Sequence, residues 1–147
     1  MTTDMSQILG QVLNARNNYG APDSFKNKVR VKSEDMDGMV ITIDEVIIMT
    51  KAKKDKDTGE YVKSKDGTKI IHQPYAYVAF NGDKYFSTKS ALMIEQFQAI
   101  SDIEIPRYER AEIPVKGVKG ITAKVGSEKV KYADDKMYSQ PVLVSTD

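Results

Sequence analysis

Eleven side chains in this sequence are of types that hold a flexible polyanion. Lys51, Lys53, Lys54, Lys84, Lys116, Lys119 and Lys124 are point cations, and Tyr61, Tyr75, Tyr77 and Phe86 offer flat aromatic faces. Lysines neutralise backbone phosphates without reading sequence, and such binding weakens steeply with salt. Aromatic rings stack on unpaired bases, at about 1–3 kcal/mol per base. If Asn81-Gly82 closes a two-residue type I′ turn, Phe80 faces Asp83, Val78 faces Tyr85, Tyr77 faces Phe86 and Tyr75 faces Thr88. One side of that hairpin then carries Tyr75, Tyr77, Lys84 and Phe86, and the other carries Ala76, Val78, Phe80 and Tyr85, an ordinary core set. Two readings stay open: rings exposed for stacking, or β-forming rings packed beneath a loop or the N-terminal helix. A register change of one residue would exchange the faces.

The net charge of +1 excludes a uniformly basic surface of the kind that coats duplex DNA. The charge is unevenly spread, however. Met49–His72 holds seven lysines against four acids, Arg107–Lys136 holds eight Lys or Arg against five acids, and the rest of the chain sums to −5. Because acids are interspersed in both blocks, merely solvated loops and phosphate-binding loops are both compatible with this pattern.

Catalytic and metal chemistry find no support in the sequence. The absence of cysteine excludes a disulfide scaffold, thiolate zinc sites and cysteine catalysis, and favours a reducing compartment. His72 is the only histidine, with no accompanying nucleophile or carboxylate motif. The pairs Asp44-Glu45 and Asp134-Asp135 are adjacent, so on a strand they point to opposite faces and cannot share one substrate atom. Gly117-Val118-Lys119-Gly120 has the GXXG pattern of a KH loop, yet its flanks read as strands. Asp35-Met36-Asp37-Gly38 with Asp44 is similar to part of a calcium loop, but Ser33 would take the first ligand position and a strand follows. Neither GxxxxGKS/T nor GxSxG occurs. The expectation is a protein without catalytic residues, metal or cofactor.

The elements that must position the lysines and rings follow from periodicity. A chain of 147 residues is the usual size of one domain and can bury roughly two thirds of its unfolded surface. Met5, Ile8, Leu9, Val12 and Leu13 predict an amphipathic helix from about Asp4 to Arg16, with Thr2, Thr3 or Asp4 as its cap. That helix suits either covering the open end of a barrel or self-association. A turn-rich linker follows, so residues 1–24 are set apart from a β domain over 25–147. Met39–Thr50 predicts a strand buried on much of both faces, with a bend or bulge at Asp44-Glu45. Lys51–Lys69 predicts a long flexible hairpin or loop, and Ile70–Phe80 with Asp83–Thr88 a tight hairpin. Ala91–Ile100 follows as a helix capped by Ser87, Thr88 or Ser90. Ile103–Pro106 and Ile113–Val125 read as extended, and Glu128–Tyr132 and Met137–Val144 as strands around an Ala133-Asp134-Asp135-Lys136 turn. The start of the chain lacks a secretory signal and no run is long enough to cross a bilayer, so a cytoplasmic protein without a membrane partner is expected.

This order is that of a mainly β, five-stranded OB-type barrel with a helix between strands 3 and 4, whose first and last inter-strand loops flank a binding face. Both basic blocks contain those loops. The stretch Tyr75-Ala76-Tyr77-Val78-Ala79-Phe80-Asn81-Gly82-Asp83-Lys84-Tyr85-Phe86-Ser87-Thr88, leading into the helix around Ala91–Ile100, resembles phage and mobile-element single-stranded DNA-binding proteins of Gram-positive bacteria. In layout the resemblance spans Met39–Val144. It implies an OB fold, cooperative or oligomeric binding of single strands, and a role in replication or recombination. The chain ends Val142-Leu143-Val144-Ser145-Thr146-Asp147 and not in the acidic tail with a terminal aromatic of bacterial single-stranded DNA-binding proteins, so recruitment through such a tail is not expected. RNA stays open as a ligand, because stacking platforms accept either backbone. The competing expectation is a non-enzymatic interaction or structural module that uses an aromatic sheet or the N-terminal helix as its contact surface.

Overall fold

A computed structural model describes residues 4–131 and 135–146. Helix α1 spans Met5–Asn17, and Asp4 caps it by accepting the Ser6 N–H at 2.9 Å. The alternative caps Thr2 and Thr3 lie outside the described residues, as do Ala133 and Asp134 of the expected Ala133–Lys136 turn. After a short linker come β1 (Val29–Arg30) and β2 (Val40–Ala52), then β3 (His72–Phe80), β4 (Lys84–Thr88) and helix α2 (Ala91–Ser101). The chain closes with β5 (Ala111–Pro114), β6 (Thr122–Lys131) and β7 (Met137–Val144). The strands form one curled, half-barrel sheet in the order β1-β4-β3-β2-β6-β7, with β5 paired to β2 off this path. No helix among the described residues is long and apolar enough to cross a membrane.

The expected five strands are therefore seven, and α2 lies between the fourth and fifth of them, not between the third and fourth. One extra strand is β1, which pairs in parallel with β4. The other is β5, because the segment expected to run extended from Ile113 to Val125 turns at Gly117 (φ 81°) and Gly120 (φ 87°). The Gly120 N–H reaches the Ile43 carbonyl at 2.7 Å, which fixes that turn against β2.

Strand β2 carries the curvature. Its Val40–Thr42 end pairs with β6, whereas Ile43–Ala52 pairs with β3 and Ile47–Thr50 also takes β5. The register slips between Ile43 and Glu45, so Asp44 is a bulge, as the charged pair within an apolar run led us to expect. The bulge also frees the Asp44 carboxylate, which accepts the Gly82 N–H at 2.7 Å.

That contact alters the β3–β4 hairpin. Asn81 and Gly82 both hold positive φ (52° and 88°), as Asn-Gly favours, but Phe80 pairs with Lys84 and not Asp83. The loop is Asn81-Gly82-Asp83, because each residue is claimed by a neighbour. Asn81 exchanges two hydrogen bonds with Thr42, Gly82 binds Asp44, and the Asp83 carbonyl accepts the Val29 N–H at 2.8 Å. The one-residue shift exchanges Tyr85 and Phe86 between faces. Phe86 joins Ile43, Val78, Phe80 and Phe97 in the inner core against α2. Tyr85 instead joins Tyr77, Ala79 and Met49 on the outer face, where Ala21 and Phe25 of the linker cover them.

Of the hairpin and the loop expected over Lys51–Lys69, the hairpin is what forms. Bridges Lys54–Tyr61 and Lys63–Ile70 fold the segment into two short hairpins that extend the β2–β3 connection. Helix α2 begins at the Ser90 cap, whose hydroxyl also donates to the Pro141 carbonyl at 2.6 Å. The Gln96 amide takes both the N–H and the C=O of Leu143, so α2 occupies backbone groups of β7 that no strand pairs.

Candidate nucleic-acid interface

The outer ends of β3 and β4, the folded insertion and β7 enclose an open groove of about 1100 Å³. The insertion contributes Lys53 and Lys56, β3 contributes Gln73 and Tyr75, β4 with the approach to α2 contributes Ser87 and Lys89, and β7 contributes Tyr138. A smaller recess of about 440 Å³ shares Ser33 and Ser87 with this groove and adds Arg30, Lys32 and Glu34. Five cations thus line the two against one acid. Among the described residues none of the five lies within ion-pairing distance of a carboxylate; the ion pairs are Lys26–Asp23 and Lys131–Asp135. Arg30 is held by the Asn17 carbonyl at 3.3 Å and the Ser87 hydroxyl at 3.5 Å, both neutral partners. A cleft lined by one sign of charge raises the local concentration of an anionic ligand.

Of the eleven residues picked out in the sequence, the groove gathers two, Lys53 and Tyr75. Lys51 lies beside them but is turned inward: its ammonium donates to the Gly20 carbonyl and the Tyr77 hydroxyl, above the Tyr75 and Tyr77 rings at 5.3 and 5.0 Å. Tyr77 packs edge-on against Phe25 and is buried, so its face is closed to a base. Phe86 is corrected outright. It is fully buried against Phe80 at 5.9 Å between ring centres, because the hairpin loop holds three residues instead of two.

Lys54 sits over the exposed ring of Tyr61 at 5.2 Å, and Tyr61 lines a different cavity, one of about 1110 Å³ under α1 that also contains His72 and Arg110. Lys84 is exposed at the hairpin tip. Lys116 and Lys119 stand in the β5–β6 turn, which the Ser101 hydroxyl ties to the end of α2 through the Lys116 N–H. Lys124 is exposed on β6 between Val40 and Val144. None of these five lysines lines the groove.

Lys56, Lys89 and Tyr138 in the groove, and Arg30 and Lys32 in the recess, are cations and a ring that the sequence did not single out. Lys56 lies within the first basic block, and Lys89 directly precedes the helix cap, but only the long-range meeting of the insertion with β4 and β7 shows that they share a site. The insertion is stiffened by its own turn. The Asp66 carboxylate accepts from the Ser64 hydroxyl at 2.6 Å and from both the N–H and the hydroxyl of Thr68, bonds that hold its pKa down to about 2. On the outer face, burial pushes the Tyr85 phenol above its ordinary range.

Comparison with family models, with curated proteins and with solved structures finds no match to this chain.

Proposed function

We propose that the protein binds single-stranded DNA along the groove lined by Lys53, Lys56, Tyr75, Lys89 and Tyr138, with little base preference and no catalytic step. The observation that carries the reading is the groove itself: unneutralised cations on both walls around a tyrosine at the sheet surface. Cations track the backbone and rings take the bases, which is how single strands are held without sequence readout.

The strand path supports the same reading. Set β1 and β5 aside as additions, and the remaining path β4-β3-β2-β6-β7 has the order 3-2-1-4-5 of an OB barrel, with α2 after its third strand. The groove then has the connection of strands 1 and 2 on one side, through Lys53 and Lys56, and strand 5 on the other, through Tyr138. The role implied by the resemblance, in replication or recombination of a phage or mobile element in the bacterial cytoplasm, belongs to this proposal, and RNA is its alternative ligand. No cofactor, metal or membrane has a part in it.

A second reading, a non-enzymatic interaction module, is favoured by one observation, the exposed apolar face of α1. Fluorescence anisotropy with labelled oligo(dT) and a matching duplex separates the two. Preferential capture of the single strand at low salt, lost as salt rises, supports the groove reading. Indifference to both nucleic acids at low salt leaves the interaction module.

A further inference from the structure

The cavity beneath α1 has walls of the same chemistry as the groove. Tyr19 and Tyr61 line it at 90 and 47 % exposure, together with Lys51, His72 and Arg110. Its two acids are Asp23, which pairs with Lys26 at 2.8 Å, and Glu112, so Lys51 and Arg110 stand against Glu112 alone. A single exposed ring on a surface is ordinary. Two exposed rings on one cavity, with cations beside them, offer faces for bases and charges for phosphates.

Lys51 joins this cavity to the groove. It lines the cavity, and its ammonium lies 5.3 Å from the centre of the Tyr75 ring, which lines the groove. The two spaces are therefore neighbours, separated by one ring and one cation. Of the three N–H donors of that ammonium, one goes to the Gly20 carbonyl at 3.2 Å and one to the Tyr77 hydroxyl. Both acceptors are neutral, and among the described residues no carboxylate lies within ion-pairing distance. The bond to Gly20 also fixes the turn that carries Tyr19 next to this junction.

We propose that a single strand longer than the groove crosses Lys51 into this cavity and stacks further bases on Tyr61 and Tyr19. The inference rests on the groove reading and extends it to a second subsite. Lys51 takes the phosphate at the crossing with its remaining N–H, Lys54 stands 5.2 Å from the Tyr61 ring, and Arg110 supplies the cation inside. A passing strand suits these walls better than a small molecule does, because a small-molecule site encloses most of its ligand, whereas Tyr19 stands almost wholly in solvent. The occupied length then lies toward the upper end of the roughly 4–16 nucleotides that one OB fold covers.

Titration of the full chain with oligo(dT) of about 5 and about 16 nucleotides, the two ends of that range, tests this. The variant Tyr19→Ala/Tyr61→Ala is expected to bind the long strand more weakly by at least about fivefold per ring and the short strand as wild type does. Its thermal unfolding should be unchanged, since both rings are exposed. Tyr75→Ala, in the groove, should weaken both lengths. If Tyr75→Ala weakens both lengths but the double variant binds the long strand as wild type does, the second subsite is overturned and the groove stands. An equal loss on both lengths in the double variant also overturns it, because the cavity would then be no extension of the groove. Failure of wild type to bind either length overturns the groove reading and this inference with it.

Discussion

The Tyr85 hydroxyl donates to the side-chain carbonyl of Asn18 at 2.8 Å, joining strand β4 to the segment that follows α1. Asn18 spends its amide on the Lys26 and Lys28 carbonyls, so this one residue ties helix, linker and sheet together. Tyr85→Phe leaves the buried Asn18 oxygen without its donor. It is expected to cost about 1–3 kcal/mol, seen as a lower urea midpoint at unchanged slope.

Burial also raises the Tyr85 pKa, and the sign of the resulting pH dependence is fixed. The unfolded chain loses the phenolic proton first as pH rises past about 10, so stability contributed by Tyr85 is full below that pH and is lost as the folded pKa is crossed. Tyrosinate absorbance should show one ring titrating late. Alkaline unfolding should begin earlier in wild type than the acid–base behaviour of exposed tyrosines alone would give, and Tyr85→Phe should remove that component.

Phe86 and Tyr75 should part company on mutation. Phe86→Ala opens a cavity in the inner core and is expected to cost about 3–5 kcal/mol of folding stability. Tyr75 is only partly buried at the groove, so Tyr75→Ala should unfold the protein little while weakening oligonucleotide binding by about 1–3 kcal/mol. Calorimetry of both variants beside a binding titration checks the split.

What the sequence made legible was local. The α1 periodicity, the bulge at Asp44, the positive φ at Asn81-Gly82 and the Ser90 cap each follow from residues within a few positions of one another. The register of the hairpin was not, because Asp44, Thr42 and Val29 claim its three loop residues from two other strands. The same limit applies to the site. Lys53 and Tyr75 were found because basic and aromatic residues cluster in sequence there, whereas Lys89 and Tyr138 lie 49 positions apart and meet only across the groove. Lys116, Lys119 and Lys124 share the second basic block in sequence, but none of them lines the groove.

Acid should loosen the insertion before the rest of the sheet. The Asp66 pKa of about 2 lies below its unfolded value of 3.8, so its contribution is full above about pH 4 and is lost as pH falls through 2. Amide hydrogen exchange at Thr68, whose N–H the Asp66 carboxylate accepts at 3.1 Å, should accelerate over that interval. Asp66→Asn should show the faster exchange already at neutral pH.

The salt dependence of single-strand binding tests the groove most directly. For single strands the slope of log K against log salt is about −0.7 for each phosphate neutralised. The variant Lys53→Ala/Lys56→Ala/Lys89→Ala should therefore bind oligo(dT) more weakly and with a slope shallower by about 2, while Lys116→Ala/Lys119→Ala leaves it unchanged. An unaltered slope in the triple variant, or an equal loss in the β5–β6 turn variant, would contradict the groove as the binding site.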